Sequence, residues 1–301
     1  MTFFENSVYH GLSRFMALLG MIPYSTGVFF GRILGSIWFV ADKKHRKLCL
    51  DNLSRAYAGE KTRKEIKSLA RQVFNNTAAM VFEHAWFHRL GPERFVKIAT
   101  INGLDHLKKA HGKGKGVICF SGHLGNWELA SCLPAATGIP LAVVYKTIEY
   151  PPFDRYVKDK RNATGCVMHP LHNALDGIKE SLARKEHAGL FIDQNSRQRD
   201  KSVFVDFMGR RASANTGPAK LALFTRAPVV PVFIFKENQK FTIDILPEVP
   251  LIETGDPNRD LAENTRRYHS IIETYVRKYP DQWFWIHNRW RTRPLGSHQM
   301  K

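Results

Sequence analysis

The chain has 301 residues, enough for one large domain or one domain with an appendage. Hydrophobic residues make up 44% and charged residues 24%, which permits a sizeable core and excludes a generally disordered chain. The formal charge of +18 favours an anionic partner, and the lack of zinc-finger spacing or an RNP-like aromatic pattern argues against nucleic acid in favour of lipid headgroups or an acidic carrier protein.

Residues 17–41 form a nearly uninterrupted apolar stretch whose only charge is Arg32. The stretch is long enough to cross a bilayer, but Pro23 breaks or kinks any helix there. A spanning helix and two shorter helices lying on the membrane both fit. No small-residue cleavage site follows, so a removed signal peptide is not indicated. Lys43, Lys44, Arg46 and Lys47 come next. By the positive-inside tendency they put the following body in the cytoplasm. The division expected is a membrane-associating helical segment over 1–42, an α/β catalytic domain over 43–295 and a disordered tail over 296–301.

Apolar positions at three-to-four spacing predict a helix over 61–90. A strand follows over 95–101, a short helix over 104–110 and a basic turn over 112–116 that carries no Walker pattern. The run 117–120 reads as a buried strand, with a helix starting near Gly125 or Asn126. Beyond it, strands are expected at 141–145, 188–193, 229–235 and 240–246. Helices are expected at 171–186, 214–227 and 258–279, with helix or loop at 152–162. This alternation predicts an α/β fold with a central, mostly parallel or mixed sheet flanked by helices. The cysteines Cys49, Cys119, Cys132 and Cys166 are scattered and read as reduced core thiols.

The chemistry concentrates in SGHLGNWE, residues 121–128. His123 follows a buried-strand pattern and Glu128 lies five residues on. On one continuous helix they would stand about 140° apart. If His123 sits on the loop before the helix, Gly122 and Gly125 permit it to fold back toward Glu128. A carboxylate behind a histidine fixes its tautomer and makes its other nitrogen a better base for a hydroxyl proton. The alternative is a satisfied core histidine near an unrelated glutamate.

SGHLGNWELA resembles the HxxxxE motif of the lipid A late acyltransferases, relatives of the glycerolipid acyltransferases, whose motif ends in Asp. The resemblance runs over roughly residues 5–292. It includes the hydrophobic N-terminus, VYKTIEYPPFDRYVKDKRNATG, GLFIDQNSRQRDKSVFVDFMGRRASANTGPAKLA and QWFWIHNRWRTRP. It implies a bacterial inner-membrane enzyme with its active site in the cytoplasm. It also implies an acyl-carrier-protein thioester as donor, with acyl-CoA as the other option, an anionic lipid A precursor as acceptor, and no cofactor or metal. His123 matches the general base and Glu128 its partner. Lys146 stands where the family usually has Arg, and Thr147 replaces a Pro. Arg161 matches the later arginine of that segment, Asp193 and Gln194 match a DQ pair, and Phe207 and Gly209 match an F-x-G segment. No acyl-enzyme is implied, because neither Ser121 nor Cys119 is evidently placed for attack. Backbone N–H groups at Gly125 and Asn126, or Arg161, are candidates to stabilise the oxyanion.

Arg161, Arg197, Arg199, Arg210 and Arg211 can grip phosphates or form a solvated basic surface. Asp193 reads as a supporting or capping residue at a strand end. Trp283, Trp285 and Trp290 border an acyl tunnel, sit at the membrane interface or pack in the core; His287 reads as structural. The rival functions are transfer to another glycolipid, aminolipid or lysophospholipid, and hydrolysis of a thioester or lipid by the same pair. The absence of a G-x-S-x-G elbow weighs against the usual lipase route.

Overall fold

The computed structural model describes residues 2–196 and 203–294. Arg197, Arg199 and the expected tail over 296–301 lie outside the described residues.

The N-terminal apolar stretch forms two helices, α1 (Phe3–Met21) and α2 (Tyr24–Ala41), that meet at 117°. Ile22 and Pro23 are extended at the junction, where proline cannot continue the preceding helix. Among the described residues no single helix is long and apolar enough to cross a membrane. Helix α3 (Lys43–Ala56) carries the basic cluster. Helix α4 (Arg63–Leu90) starts at a capping box in which Thr62 and Glu65 satisfy each other's backbone N–H. Helix α2 lies along α4 through Gly27, Gly31 and Gly35. A Cβ added at Gly31 would come within 2.6 Å of the Ala79 Cα, so only glycine permits this backbone approach. Helices α1 and α2 leave Phe15, Leu18, Met21, Phe29, Ile37 and Val40 exposed.

The expected strand over 95–101 is instead helix α5 (Pro92–Ile98), followed by the three-residue strand β1 (Thr100–Asn102). Pro92 in the first turn suits a helix start, and Phe95 buries itself from one helical face. Then come α6 (Leu104–His111), β2 (Val117–Ser121), a 3₁₀ turn at Trp127–Cys132, α7 (Leu133–Thr137), β3 (Leu141–Tyr145), α8 (Pro151–Asn162), β4 (Cys166–Pro170), α9 (Ala174–Ala183) and β5 (His187–Phe191). A small antiparallel hairpin, β6 (Val203–Phe207) with β7 (Arg210–Ala214), was not anticipated from the sequence. Helix α10 (Gly217–Thr225), strands β8 (Val229–Glu237) and β9 (Lys240–Ile245), and helix α11 (Pro257–Lys278) complete the body.

The main sheet has seven strands in the order β1-β9-β8-β2-β5-β3-β4. Five of them, β4, β3, β5, β2 and β8, run parallel. Strand β9 is antiparallel to β8, and β1 is parallel to β9. Ile118 and Phe120 pack on one side of β2 and Val117 and Cys119 on the other, so the sheet's central strand is covered on both faces. The four cysteines are free and buried.

Candidate active site

The site forms where β2, β3 and β5 end. Such a carboxyl edge is where open α/β sheets present loops to ligands. Strands β2 and β5 are in register, with Ser121 opposite Phe191. The Ile192 N–H donates to the Ser121 carbonyl at 3.1 Å and carries the pairing one step further. Two residues beyond each strand, His123 therefore faces Asp193. The His123 Nδ1 lies 2.7 Å from Asp193 Oδ1, and the His123 backbone N–H donates to Oδ2 at 2.9 Å. The Trp283 indole N–H donates to the same Oδ2 at 2.6 Å.

Asp193 is only 1% exposed. Burial alone would raise its pKa, but His123 and these three hydrogen bonds outweigh it and hold the carboxyl below the usual range. Hydrogen bonds to a charged group contribute about 1.5–3 kcal/mol each, enough together to offset a desolvation cost of several kcal/mol. The ionised carboxylate then keeps the proton of neutral His123 on Nδ1. The imidazole packs against Trp127 and Phe191, with ring centroids 5.0 Å away in each case. Its Nε2 has no protein partner among the described residues, and His123 lines a cavity of about 490 Å³.

Glu128 does not pair with His123, which corrects the sequence expectation. The 3₁₀ turn directs Glu128 to Arg161 on α8, where the guanidinium grips both carboxylate oxygens at 2.7–3.1 Å. Burial raises the Glu128 pKa and Arg161 lowers it, with a net shift downward. The planar, two-pronged guanidinium matches a carboxylate better than a single imidazole nitrogen does.

The cavity wall also carries Lys146, Arg161 and Gln194. Its inner part is apolar, with Leu133, Leu141, Val143 and Cys119. Burial pushes the Cys119 thiol up to about 12, so it holds its proton at neutral pH. Ser121 also lines the cavity, but its hydroxyl contacts the Gly122 carbonyl rather than His123.

Four expected site residues do not line this cavity: Asp193, which stands behind His123, and Gly125, Asn126 and Arg210. The Gly125 N–H already donates to the Gln282 carbonyl at 2.9 Å, and a Cβ there would meet the Ile234 carbonyl at 2.5 Å. With φ at +55°, Gly125 serves a close backbone crossing. The Asn126 side chain turns the other way, donating to Met80 O and to Glu83, whose other oxygen lies 2.5 Å from Lys236 Nζ. Arg210 sits over the Trp290 ring, 5.2 Å from its centroid; burial, Arg55 and Arg293 lower its pKa. Arg211 is exposed and pairs loosely with Asp206.

The C-terminal tryptophan segment supports the site from behind. The Phe284 N–H donates to the His123 carbonyl at 3.0 Å, and Leu124 bridges to Trp283. His287 Nε2 accepts from the Asn195 N–H and steadies the segment after Asp193. Trp127, Phe191 and the orienting role of Trp283 were missed in the sequence; the last two depend on contacts between distant segments, and Trp127 on the local path of the loop after β2. Among the described residues no group of three His, Cys, Asp or Glu side chains is placed to hold a metal ion.

A family model described as bacterial lipid A biosynthesis acyltransferase matches residues 8–292. The chain is 26% identical over 288 residues to a lipid A biosynthesis acyltransferase of Haemophilus influenzae, covering 94% of this chain and 87% of the relative. It is 25% identical over 274 residues to the lipid A biosynthesis myristoyltransferase of Escherichia coli, covering 89% and 81%. A phosphatidylinositol mannoside acyltransferase of Mycolicibacterium smegmatis is 25% identical over 191 residues, 62% of this chain and 60% of that protein.

Proposed function

The chain belongs to the bacterial lipid A biosynthesis acyltransferase family and is an acyltransferase; from that premise we propose that it moves a fatty acyl chain from an acyl-carrier-protein thioester to a hydroxyl of a lipid A precursor. Acyl-CoA is the other donor with the same reactive group. The observation that carries the chemistry is His123, held by Asp193 through Nδ1 and presented at the wall of a largely apolar cavity.

In this reading Nε2 takes the proton of the acceptor hydroxyl as its oxygen attacks the thioester carbonyl. The C–O bond forms and a tetrahedral oxyanion develops. When the C–S bond breaks, the carrier sulfur leaves with the proton held on His123, which returns the histidine to its neutral form. The protonated thiol of Cys119 and the Ser121 hydroxyl turned to Gly122 fit direct transfer without an acyl-enzyme. Lys146 and Gln194 share the cavity with His123 and take the polar roles, toward the oxyanion and the acceptor's phosphate. Glu128 acts through Arg161, fixing α8 as one wall of the cavity.

The enzyme sits on the bacterial inner membrane, with helices α1 and α2 in the interface and the catalytic body facing the cytoplasm. Their exposed apolar faces, and the basic α3 that follows, support this orientation. The overall +18 charge suits both an acidic carrier protein and an anionic lipid acceptor. A second reading, transfer to another glycolipid, is favoured by the Lys146-Thr147 departure and by the match to a phosphatidylinositol mannoside acyltransferase.

The test incubates detergent-solubilised enzyme with labelled acyl-carrier protein and extracted Gram-negative membrane lipids, beside His123→Ala, with products read by mass spectrometry. A lipid A precursor heavier by one acyl group, absent with the variant, is the expected result. Another acylated lipid would select the second reading. Free fatty acid alone would make the enzyme a hydrolase, and undiminished transfer by the variant would remove His123 from the mechanism.

A further inference from the structure

A second cavity, of about 720 Å³, opens between α2 and α4, and the catalytic residues have no part in it. Its outer wall is the apolar strip Phe29, Ile33, Ile37 and Val40, which is 42–66% exposed. These positions recur at near-helical spacing, so the strip runs about 16 Å along one face of α2. Its inner wall is polar. Ser36 donates to Asn75 Oδ1 at 2.9 Å, and Arg71 Nε donates to Ser36 Oγ at 3.2 Å. Arg71 thereby keeps both Nη groups without a protein partner among the described residues. Arg32, also on this wall, has no hydrogen bond or ion pair there among the described residues, and none of the described Asp or Glu residues lines the groove.

Two guanidinium groups left uncompensated beside an apolar strip are the complement of an amphiphile with an anionic head. Beside the C-terminal end of α2, Arg46 Nη1 donates to the Phe39 and Val40 carbonyls at 3.0 Å each. The glycine contact of α2 with α4 fixes the two walls relative to each other, so the groove is preformed rather than assembled around a ligand.

We propose that the groove between α2 and α4 binds one anionic phospholipid of the bilayer, its phosphate on Arg32 and Arg71 and an acyl chain along Phe29, Ile33, Ile37 and Val40. The site is separate from the acceptor site and orients the enzyme on the surface. It rests on the membrane seating proposed above and is independent of the catalytic assignment.

The full-length protein is titrated with short-chain phosphatidylglycerol below its micelle concentration, and with the matching phosphatidylcholine, for the parent, Arg32→Gln/Arg71→Gln and Lys43→Gln/Lys44→Gln. Neutralising a basic residue near an anionic lipid costs about fivefold, so the arginine pair is expected to weaken phosphatidylglycerol binding about thirtyfold. The lysine pair, outside the groove, is expected to change it less than threefold, and acyl transfer in detergent remains at the parent level. Equal weakening by the lysine pair means diffuse attraction and overturns the site. Displacement of the lipid by inorganic phosphate at equal concentration makes it a free-phosphate site and overturns it too. Equal affinity of the parent for the two lipids removes the headgroup role. Vesicle binding of the parent, measured in parallel with neutral and anionic bilayers, isolates the seating itself. If neither bilayer is bound, it is the seating that fails.

Discussion

His123 and Asp193 lie 70 residues apart in the chain, yet their side chains meet at 2.7 Å because adjacent parallel strands end in register beneath them. The distance from sheet edge to functional group is the same on both sides, two residues. A slip in register between β2 and β5 would therefore dismantle the pair.

Asp193→Asn preserves size but replaces the carboxylate that fixes the imidazole tautomer. The expected loss in kcat is about 10³–10⁴-fold, by analogy with the orienting aspartate of a serine-protease triad. Initial rates of acyl transfer measure it, with circular dichroism to verify the fold. A fall of less than tenfold would detach Asp193 from the chemistry.

Glu128→Gln leaves the Arg161 guanidinium without its charge partner in a mostly buried setting. Stability is expected to drop by roughly 3 kcal/mol, while kcat falls less than in Asp193→Asn. The double variant Glu128→Gln/Arg161→Gln is expected to lose at least 1 kcal/mol less than the two single losses added together. Urea denaturation of all three proteins checks this; strict additivity would mean the pair contributes nothing as a pair.

Trp283→Phe keeps an aromatic ring in the core but withdraws the indole donor from Asp193. A lost hydrogen bond to a buried carboxylate corresponds to about 1.5–3 kcal/mol, so activity is expected to fall roughly 10- to 100-fold. The melting temperature moves far less than the rate. A rate equal to the parent's would show that Oδ2 is adequately held by the His123 backbone alone.

Buried histidines set the acid limit of stability. His187 and His269 have no exposed surface, and burial pushes them down to about 4 and about 3. An unfolded histidine takes up its proton near pH 6.5, which the folded site refuses. Their contribution is complete above pH 6.5 and is lost as pH falls toward 4 and 3, by about 1.4 kcal/mol per pH unit for each group. Urea midpoints taken between pH 7.5 and 4.5 should fall steadily, and His269→Gln should flatten the slope. A slope unchanged in that variant would exclude His269 as a contributor.

The layers of the fold could be read from local pattern. The continuous apolar run of β2, the three-to-four spacing of α4 and the turn glycines each depend on neighbours in sequence. The strand expected over 95–101 went wrong because Pro92 and the single buried face of Phe95 outweighed the β-branched residues that follow. In the site, the position of His123 was legible, since it stands just past a buried strand in a glycine-rich turn. Its partner was not, because five residues of sequence proximity gave Glu128 an apparent advantage that the 3₁₀ turn cancels. Lys146, Arg161 and Gln194, singled out by the family resemblance, line the cavity, whereas the Asn126 and Arg210 side chains make their contacts elsewhere. The orienting N–H of Trp283 required knowing that residues 282–285 return to the first loop after β2.

That return has a consequence for biosynthesis. Helices α1 and α2 are translated well before Trp283 and Phe284, which steady Asp193 and His123. A ribosome-bound chain can therefore form the proposed membrane-seating helices while His123, the proposed base, still lacks the backing of Trp283 and Phe284. On the proposed mechanism the site is complete only after Trp283 and Phe284 have emerged, and proteolytic loss of residues 275–294 is expected to leave α1 and α2 intact while abolishing acyl transfer.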